Sequence, residues 1–116
     1  MTVLTDEEIR DRNEYLWRKY QKAIGTRTSA ALGFVVQART RELAQSIAKL
    51  ITRVDCKVTK ICRDYWPFGR RWQVVAMSPI IPLDLIAIDH WSRQIHHGLL
   101  GLDAELTHWV PLLPGA

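Results

Sequence analysis

Four histidines are the residues of this chain that first suggest a metal site or a general base: His90, His96, His97 and His108. Metal ligands on one helix lie three or four residues apart, and no pair of these histidines has that spacing. His90 and His97 are two helical turns apart, about 10 Å along a helix axis. Because a metal site needs several ligands converging on one point, we expect surface or hydrogen-bonded histidines and no metal site.

The candidate nucleophiles are two cysteines, Cys56 and Cys62. If the segment between them is extended, their Cα atoms lie about 20 Å apart, beyond the ~7 Å limit for a disulfide. Two unpaired thiols favour a reducing compartment.

Asp84 and Asp89 are five residues apart on a predicted helix, so they point in different directions; we interpret them as a helix N-terminal charge and a solvated or paired acid. No arrangement of catalytic roles emerges, so we predict neither enzymatic activity nor a cofactor. An enzyme that uses one of the histidines is the alternative.

Arginines and aromatic residues, which favour binding to a partner, are concentrated in the stretch RDYWPFGRRWQVVAM, residues 63–77. The net charge of the chain is +4, and the positive excess is gathered at this stretch and the strand before it. Cations among aromatic rings suit phosphates and unstacked bases, and tryptophan, tyrosine and arginine dominate protein binding hot spots. The predicted partner-binding residues are Lys57, Lys60, Arg63, Tyr65, Trp66, Phe68, Arg70 and Arg71, with Trp109 as a second contact point.

Three interpretations of this basic hairpin stay open. It is a protein interface, a nucleic-acid surface, or a hairpin whose rings close the core while its lysines keep an edge strand from aggregating. An RNA-recognition module carries a run of aromatics on its third strand, whereas RRWQVVAM has one. Direct base readout is therefore disfavoured, and nucleic-acid binding would be salt-dependent and sequence-blind.

The length and composition indicate one ordinary globular domain, residues 1–116. The chain is 47% hydrophobic and 24% charged, which argues against disorder. No apolar run approaches the roughly 20 residues of a membrane span, and the first residues lack the apolar core of a signal peptide. We therefore expect a cytoplasmic protein with no membrane contact.

The leading helix, residues 5–24, has a well-marked beginning and end. Thr5 and Glu8 fit a capping box, in which each side chain binds the other residue's backbone N–H. Gly25 ends the helix. Its apolar stripe needs a surface to cover it, and the opposite face of the sheet or a second copy in a homodimer is the natural candidate. The stripe consists of Ile9, Leu16, Trp17, Tyr20 and Ile24.

Residues 30–110 read as strand, helix, strand, strand, helix, strand. The strand ALGFVVQA is apolar on both faces, so it belongs in the middle of a sheet. Thr40 caps the first helix of this unit. The alternation of CKVTKICRDY slips between Val58 and Ile61, which predicts a bulge or a partly exposed edge. The last helix begins near Pro82 and ends at Gly101, and the strand AELTHWV follows, ended by Pro111 and Pro114.

Right-handed crossovers place both helices on one face of a four-stranded antiparallel sheet. The predicted fold is therefore α+β and ferredoxin-like, β-α-β-β-α-β, with an extra N-terminal helix. Another α+β sandwich with a different strand order is the alternative.

The chain resembles the ribonuclease E inhibitor B family (RraB), small cytoplasmic regulators with a ferredoxin-like fold. The residues that carry the resemblance are WQVVA at 72–76, LIAID at 85–89, GLD at 101–103 and the tryptophan of the last strand, Trp109. The resemblance implies a non-catalytic protein that regulates an RNA-processing enzyme such as ribonuclease E through protein–protein contact. A small basic RNA- or DNA-binding module is the alternative function.

Overall fold

The structure is a computed structural model. It describes residues 5–66 and 69–113, with their side chains except at residues 64–66 and 69–70. Within these ranges the chain is α+β, with four helices and an antiparallel sheet of five strands. The elements are α1 (Asp6–Lys19), α2 (Gln21–Ile24), β1 (Ser29–Ala38), α3 (Arg41–Thr52), β2 (Lys57–Trp66), β3 (Gly69–Met77), β4 (Ile81–Pro82), α4 (Leu85–Gly98) and β5 (Ala104–Leu112).

The helices begin at side-chain caps. The predicted capping box of α1 is confirmed: Glu8 N donates to Thr5 Oγ1 at 3.1 Å, and Thr5 N donates to Glu8 Oε1 at 3.2 Å. Thr40 caps α3 by accepting from Leu43 N at 3.1 Å, and Asp84 caps α4 by accepting from Ala87 N at 2.8 Å. Each cap satisfies one backbone N–H that has no partner within the helix. Gly25 follows α2 with φ +58°, a conformation that favours glycine.

β1 lies at the centre of the sheet. It pairs with β3 and with β5, and β3 pairs in turn with β2, all antiparallel. The short strand β4 pairs only with the beginning of β1, at Ser29 and Ala30. Pro82 was expected to lie near the beginning of the last helix. Instead Pro82 is in β4, and α4 begins three residues later.

Two bulges interrupt the ladders. The bulge predicted in the strand CKVTKICRDY is confirmed by a register shift between Val58 and Lys60. A second shift separates Val35 from Val36 on β1, opposite Thr107 of β5. Thr107 Oγ1 donates to the Val35 carbonyl there at 3.0 Å. An extra residue at a bulge shifts the later side chains of its strand relative to simple alternation.

The core lies on one face of the sheet, under α3 and α4. The face of β1 that carries Leu32, Phe34 and Val36 is fully buried, and Val74 and Ala76 of β3 continue the same layer. The helices add Ala44, Ile47, Ile51, Ile88 and Ile95.

α1 packs beside α4, on the same side of the sheet as the core. Ile9 and Leu16 are buried, and Leu16 belongs to the core cluster. The expectation that α1 covers the opposite sheet face is therefore wrong. The physical reason is that α4 and β5 offer it both apolar and polar partners. Its apolar side is occupied within the chain, which removes the physical reason for a homodimer through this helix.

The end of β5 also differs from expectation. Pro111 was predicted to end this strand, but it is buried within β5 opposite Leu32. A proline is tolerated there because β5 pairs, within the described residues, only with β1, so the missing N–H costs no ladder bond on its other edge. No helix in the described residues is both long and apolar enough to cross a bilayer.

Candidate functional site

The sheet has a second face that none of the described helices covers, which we call the open face. Side chains alternate along β1, so Ala31, Gly33, Val35 and Gln37 point away from the core. Residues directly opposite them on β3 and β5 share this face. With these partners the open face consists of Ala31, Gly33, Val35, Gln37, Gln73, Val75, Met77, Glu105, His108, Val110 and Leu112.

The open face is not part of the packed interior. Its apolar side chains belong neither to the core cluster nor to the partly buried residues packed against it. Val35 is only 8% exposed because its strand neighbours surround it, while Val75, Met77 and Val110 are half-buried. An antiparallel sheet that meets water on one side usually carries polar residues there. An apolar open face therefore needs an explanation in terms of a partner.

This face is divided into an apolar half and a polar half. In the apolar half the Leu112 side chain lies over Gly33: a Cβ placed at Gly33 would stand 3.5 Å from Leu112 Cδ2. In the polar half Arg71 Nη1 donates to Gln37 Oε1 at 3.2 Å. The polar half is the half nearer the β2–β3 hairpin tip, because Gln37 and Gln73 follow Val35 and Val75 toward it.

Three of the predicted cations lie along the open face. Lys57 is opposite Met77, and Lys60 is opposite Val75. Arg71 reaches the same face through its bond to Gln37. All three are exposed. Lys57 and Lys60 lie on the edge strand β2, and Arg71 lies on its neighbour β3; we call these three exposed cations the cationic edge.

Arg63, the fourth described cation, lies on the other side of the sheet. It is opposite Trp72, which packs against the core. The Arg41 guanidinium stands 5.8 Å from the centre of the Trp72 ring, a cation–π contact. The predicted basic surface is therefore split between the two faces, and Arg63 is not part of the cationic edge.

The predicted contact rings belong to the tip of the β2–β3 hairpin. Tyr65 and Trp66 end β2, with their backbones opposite Arg70 and Gly69. The side chains of Tyr65, Trp66 and Arg70 lie outside the described residues, as does Phe68 altogether.

The prediction of Trp109 as a contact residue is wrong, because Trp109 is 1% exposed. It faces the core opposite Phe34, and its ring centre is 5.7 Å from that of Tyr20. A buried ring of this kind holds elements together and is not available to a partner.

A buried polar network was not predicted, and Asn13 of α1 is its centre. Asn13 is 2% exposed, and its Oδ1 accepts from Trp109 Nε1 at 2.9 Å and from Ser92 Oγ at 3.3 Å. Its Nδ2 donates to Asp89 Oδ1 at 2.9 Å. The sequence does contain a signal for it: Asn13 comes four residues after Ile9 and three before Leu16, on the apolar stripe. A polar residue on such a stripe indicates a buried partner.

A groove of about 530 Å³ runs between α1 and α4, but its charges are already paired. Asp89 Oδ2 is 3.1 Å from Arg93 Nη2, and Glu14 faces Arg10 at 3.9 Å. At one end His97 Nε2 is 3.1 Å from Asp6 Oδ1, which joins the two helices.

Two further reactive groups, Cys56 and His108, have shifted pKa values. Burial, and then the nearby Asp55 carboxylate, raises the pKa of the Cys56 thiol to about 11, so it is protonated at neutral pH. Burial, followed by the charges of Lys19 and Arg12, lowers the pKa of His108. Cys56 and Cys62 are both unpaired. Within residues 5–66 and 69–113, no three His, Cys, Asp or Glu residues converge on a point where a metal ion would sit.

Comparison with protein-family models, with curated proteins and with solved structures finds no match to this chain. The candidate site therefore depends on geometry alone: an uncovered sheet face, apolar in one half, with a cationic edge.

Proposed function

We propose that this protein acts by binding another protein, without chemistry of its own, through its cationic edge and the β2–β3 hairpin. The observation that carries the proposal is the position of Lys57, Lys60 and Arg71, exposed together beside an uncovered sheet face. A partner with a complementary acidic surface would be attracted over a distance of about 8–10 Å at physiological salt. It would then bind by contact with the edge.

The specific function we propose is that of a cytoplasmic regulator of an RNA-processing enzyme, an inhibitor of ribonuclease E activity of the RraB-like kind. Two features support it. The strand pairing runs β2, β3, β1, β5 with all neighbours antiparallel, which agrees with a ferredoxin-like domain. The three segments similar to that family, residues 72–76, 85–89 and 101–103, lie on β3, α4 and the turn before β5. Occlusion or allosteric restraint of the enzyme is the mechanism that fits a protein without catalytic groups.

The second candidate function is sequence-blind binding of nucleic acid, which the three exposed cations favour. Against it, the described side chains of the open face include no phenylalanine, tyrosine or tryptophan, so they form no platform of large rings on which bases could stack. Retention of RNA would then depend on phosphate contacts alone and fall steeply with salt.

A charge-reversal experiment tests the proposal. The variant Lys57→Glu, Lys60→Glu, Arg71→Glu is compared with a matched control, Arg18→Glu, Lys22→Glu, Lys49→Glu, which reverses three exposed cations on helices. Binding to a ribonuclease E-type enzyme and to single-stranded RNA is measured at two salt concentrations. We expect the first variant to lose at least about tenfold in affinity for the enzyme and the control to lose little.

Three outcomes distinguish the candidates. Equal affinity for the enzyme in the two variants contradicts the role of the cationic edge. Absence of wild-type enzyme binding contradicts the specific regulator. RNA binding that disappears selectively in the first variant, with a steep dependence on salt, supports the nucleic-acid function.

A further inference from the structure

The two edges of the sheet differ in what lies beside them. At the β5 edge, Arg12 of α1 donates to the backbone carbonyls of Leu106 and Thr107, so this edge is already in contact with a helix. At the other edge β2 pairs with β3, and within residues 5–66 and 69–113 no element pairs with its outer side. The outer side of an edge strand presents backbone N–H and C=O groups that another strand can bind.

One hydrogen bond shows which residues of β2 direct these groups outward. Thr59 Oγ1 donates to the Val75 carbonyl at 3.2 Å, so Val75 directs its backbone groups toward β2. In an antiparallel ladder, pairs that exchange backbone bonds alternate with pairs that do not. Lys60 is paired with Val75 and therefore bonds β3, whereas Ile61 is paired with Val74 and directs its N–H and C=O to the outer side.

The outer side of β2 is long enough for an added strand. After the bulge, residues 60–66 are paired with β3 without a break. At about 3.3 Å per residue, this segment spans roughly 20 Å, which is the length of an ordinary strand. Ile61, on the face that meets the helices, is apolar and still 39% exposed. A residue of an added strand would cover it as a cross-strand neighbour.

The charge of the β2–β3 hairpin determines the chemistry of the strand that fits. Residues 57–77 contain five basic residues and one acid, a net charge of +4 that equals the net charge of the whole chain. β2 itself contains three basic residues and one acid, so a second copy of this strand is repelled. An acidic strand is attracted by the same groups. The charges thus disfavour one occupant of the edge and favour another.

We propose that the partner binds as an added strand, an extended acidic segment of another protein that pairs with the outer side of β2 along residues 60–66. The backbone of this segment bonds the outward N–H and C=O groups, its acidic side chains lie on the open face toward Lys57 and Lys60, and an apolar residue covers Ile61. Acidic and apolar residues therefore alternate along it. This inference rests on the proposed function and names the class of partner that the cationic edge binds.

The probe is a synthetic peptide of alternating glutamate and valine, about seven residues long to match the free segment of β2. Because Ile61 directs its backbone groups outward, the valine opposite it directs its own N–H toward β2. N-methylation of the valines therefore removes the donors that face the protein, and N-methylation of the glutamates removes donors that face solvent. The two methylated peptides have the same charge and composition. We expect the first to bind at least about tenfold more weakly and the second to lose less than about threefold.

A substitution on the protein tests the same bond from the other side. Ile61→Pro removes the outward N–H without removing a bond to β3, a position where an edge strand tolerates proline. Its matched control, Ile61→Val, keeps both the N–H and an apolar branched side chain. We expect a loss of at least about tenfold in peptide affinity for the first and less than about threefold for the second. Circular dichroism checks folding, and the methylated peptides decide the question if the proline variant does not fold.

Amide hydrogen exchange of the wild type gives a direct readout of strand addition. The Ile61 amide should exchange more slowly when the peptide is bound. The Cys62 amide, which faces β3 opposite Gln73, should be equally protected with and without peptide.

The outcomes separate this inference from the proposed function. No binding of the unmodified peptide at about 1 mM, equal binding of the two methylated peptides, or equal binding of a lysine–valine peptide overturns strand addition by an acidic segment. Single-stranded RNA that protects the Ile61 amide as well as the peptide does also overturns it. Enzyme binding that is lost on reversal of the three cations but kept in Ile61→Pro overturns this inference alone and leaves the proposed function intact.

Discussion

The indole Nε1 of Trp109 donates to the side-chain oxygen of Asn13 at 2.9 Å, which joins the last long strand of the sheet to the leading helix. The same oxygen accepts from Ser92, and the amide nitrogen of Asn13 donates to Asp89, so α4 is held at the same point. A buried amide with its partners in place specifies one position of a helix. It therefore determines where α1 lies.

The first prediction concerns this network. Asn13→Ala should destabilise the fold by about 2–4 kcal/mol, since it leaves the buried Trp109 Nε1 and Ser92 Oγ without their acceptor and opens a small cavity. Urea unfolding followed by circular dichroism measures the change. The control Tyr15→Ala removes an exposed side chain from the same helix and should cost less than about 1 kcal/mol. Equal losses in the two variants would show that the network contributes no specific stability.

The second prediction concerns the two thiols. At about pH 8 only about one Cys56 thiol in a thousand is ionised, given its pKa of about 11, and the thiolate is the reactive form. A thiol reagent should therefore label the half-buried Cys62 first and Cys56 only slowly. The control Cys62→Ala should show only the slow reaction when folded and a fast one in urea. Fast labelling of folded Cys62→Ala protein would contradict the burial of Cys56.

The third prediction concerns acid stability. The pKa of His108 is lowered in the fold by burial and by Lys19 and Arg12, whereas in the unfolded chain it has its ordinary value of 6.5. As the pH falls below that value, the unfolded state takes up a proton before the folded state does. This histidine therefore makes no difference above about pH 7.5 and reduces stability progressively toward the lowered folded pKa.

The measurement is the change in urea midpoint between about pH 7.5 and pH 5.5 in wild type, His108→Gln and the exposed control His90→Gln. His108→Gln should lose less stability on acidification than wild type, and His90→Gln should lose about as much. A wild type and His108→Gln with the same pH dependence would show that the surroundings of His108 do not disfavour its charge.

Local signals explain which parts of the fold were predictable from the sequence. Thr5, Thr40 and Asp84 cap helices through bonds that span three residues, so the pattern alone indicates them. The bulge between Val58 and Lys60 was predictable for the same reason, because it interrupts the two-residue alternation of apolar and polar side chains within one strand.

Long-range and irregular features were not predictable in the same way. Strict alternation places Leu106 and Trp109 on opposite faces of β5, since they are three residues apart. The bulge at Thr107 adds one residue and turns both toward the core. The position of α1 depends on Asn13 bonds to residues far along the chain, which its apolar stripe does not encode.

The candidate site was predictable in part. The sequence indicates that the cations Lys57, Lys60, Arg63 and Arg71 lie on one hairpin, but the face of each depends on its register with β3. The bulge before Lys60 changes which face the later side chains of β2 occupy. Strict alternation along β2 therefore does not place Arg63 on the opposite face from Lys57 and Lys60. The open face could be recognised only once the structure placed α1 beside α4, on the core side of the sheet.

The Asn13 bonds also bear on how the protein is made. Asn13 is translated 76 residues before Asp89 and 96 before Trp109. At a synthesis rate of about 5–20 residues per second, α1 waits roughly 5–20 s for the strand that completes its docking site. During that interval its apolar stripe lacks the native partners that α4 and β5 supply, so the nascent chain carries an incompletely covered amphipathic segment.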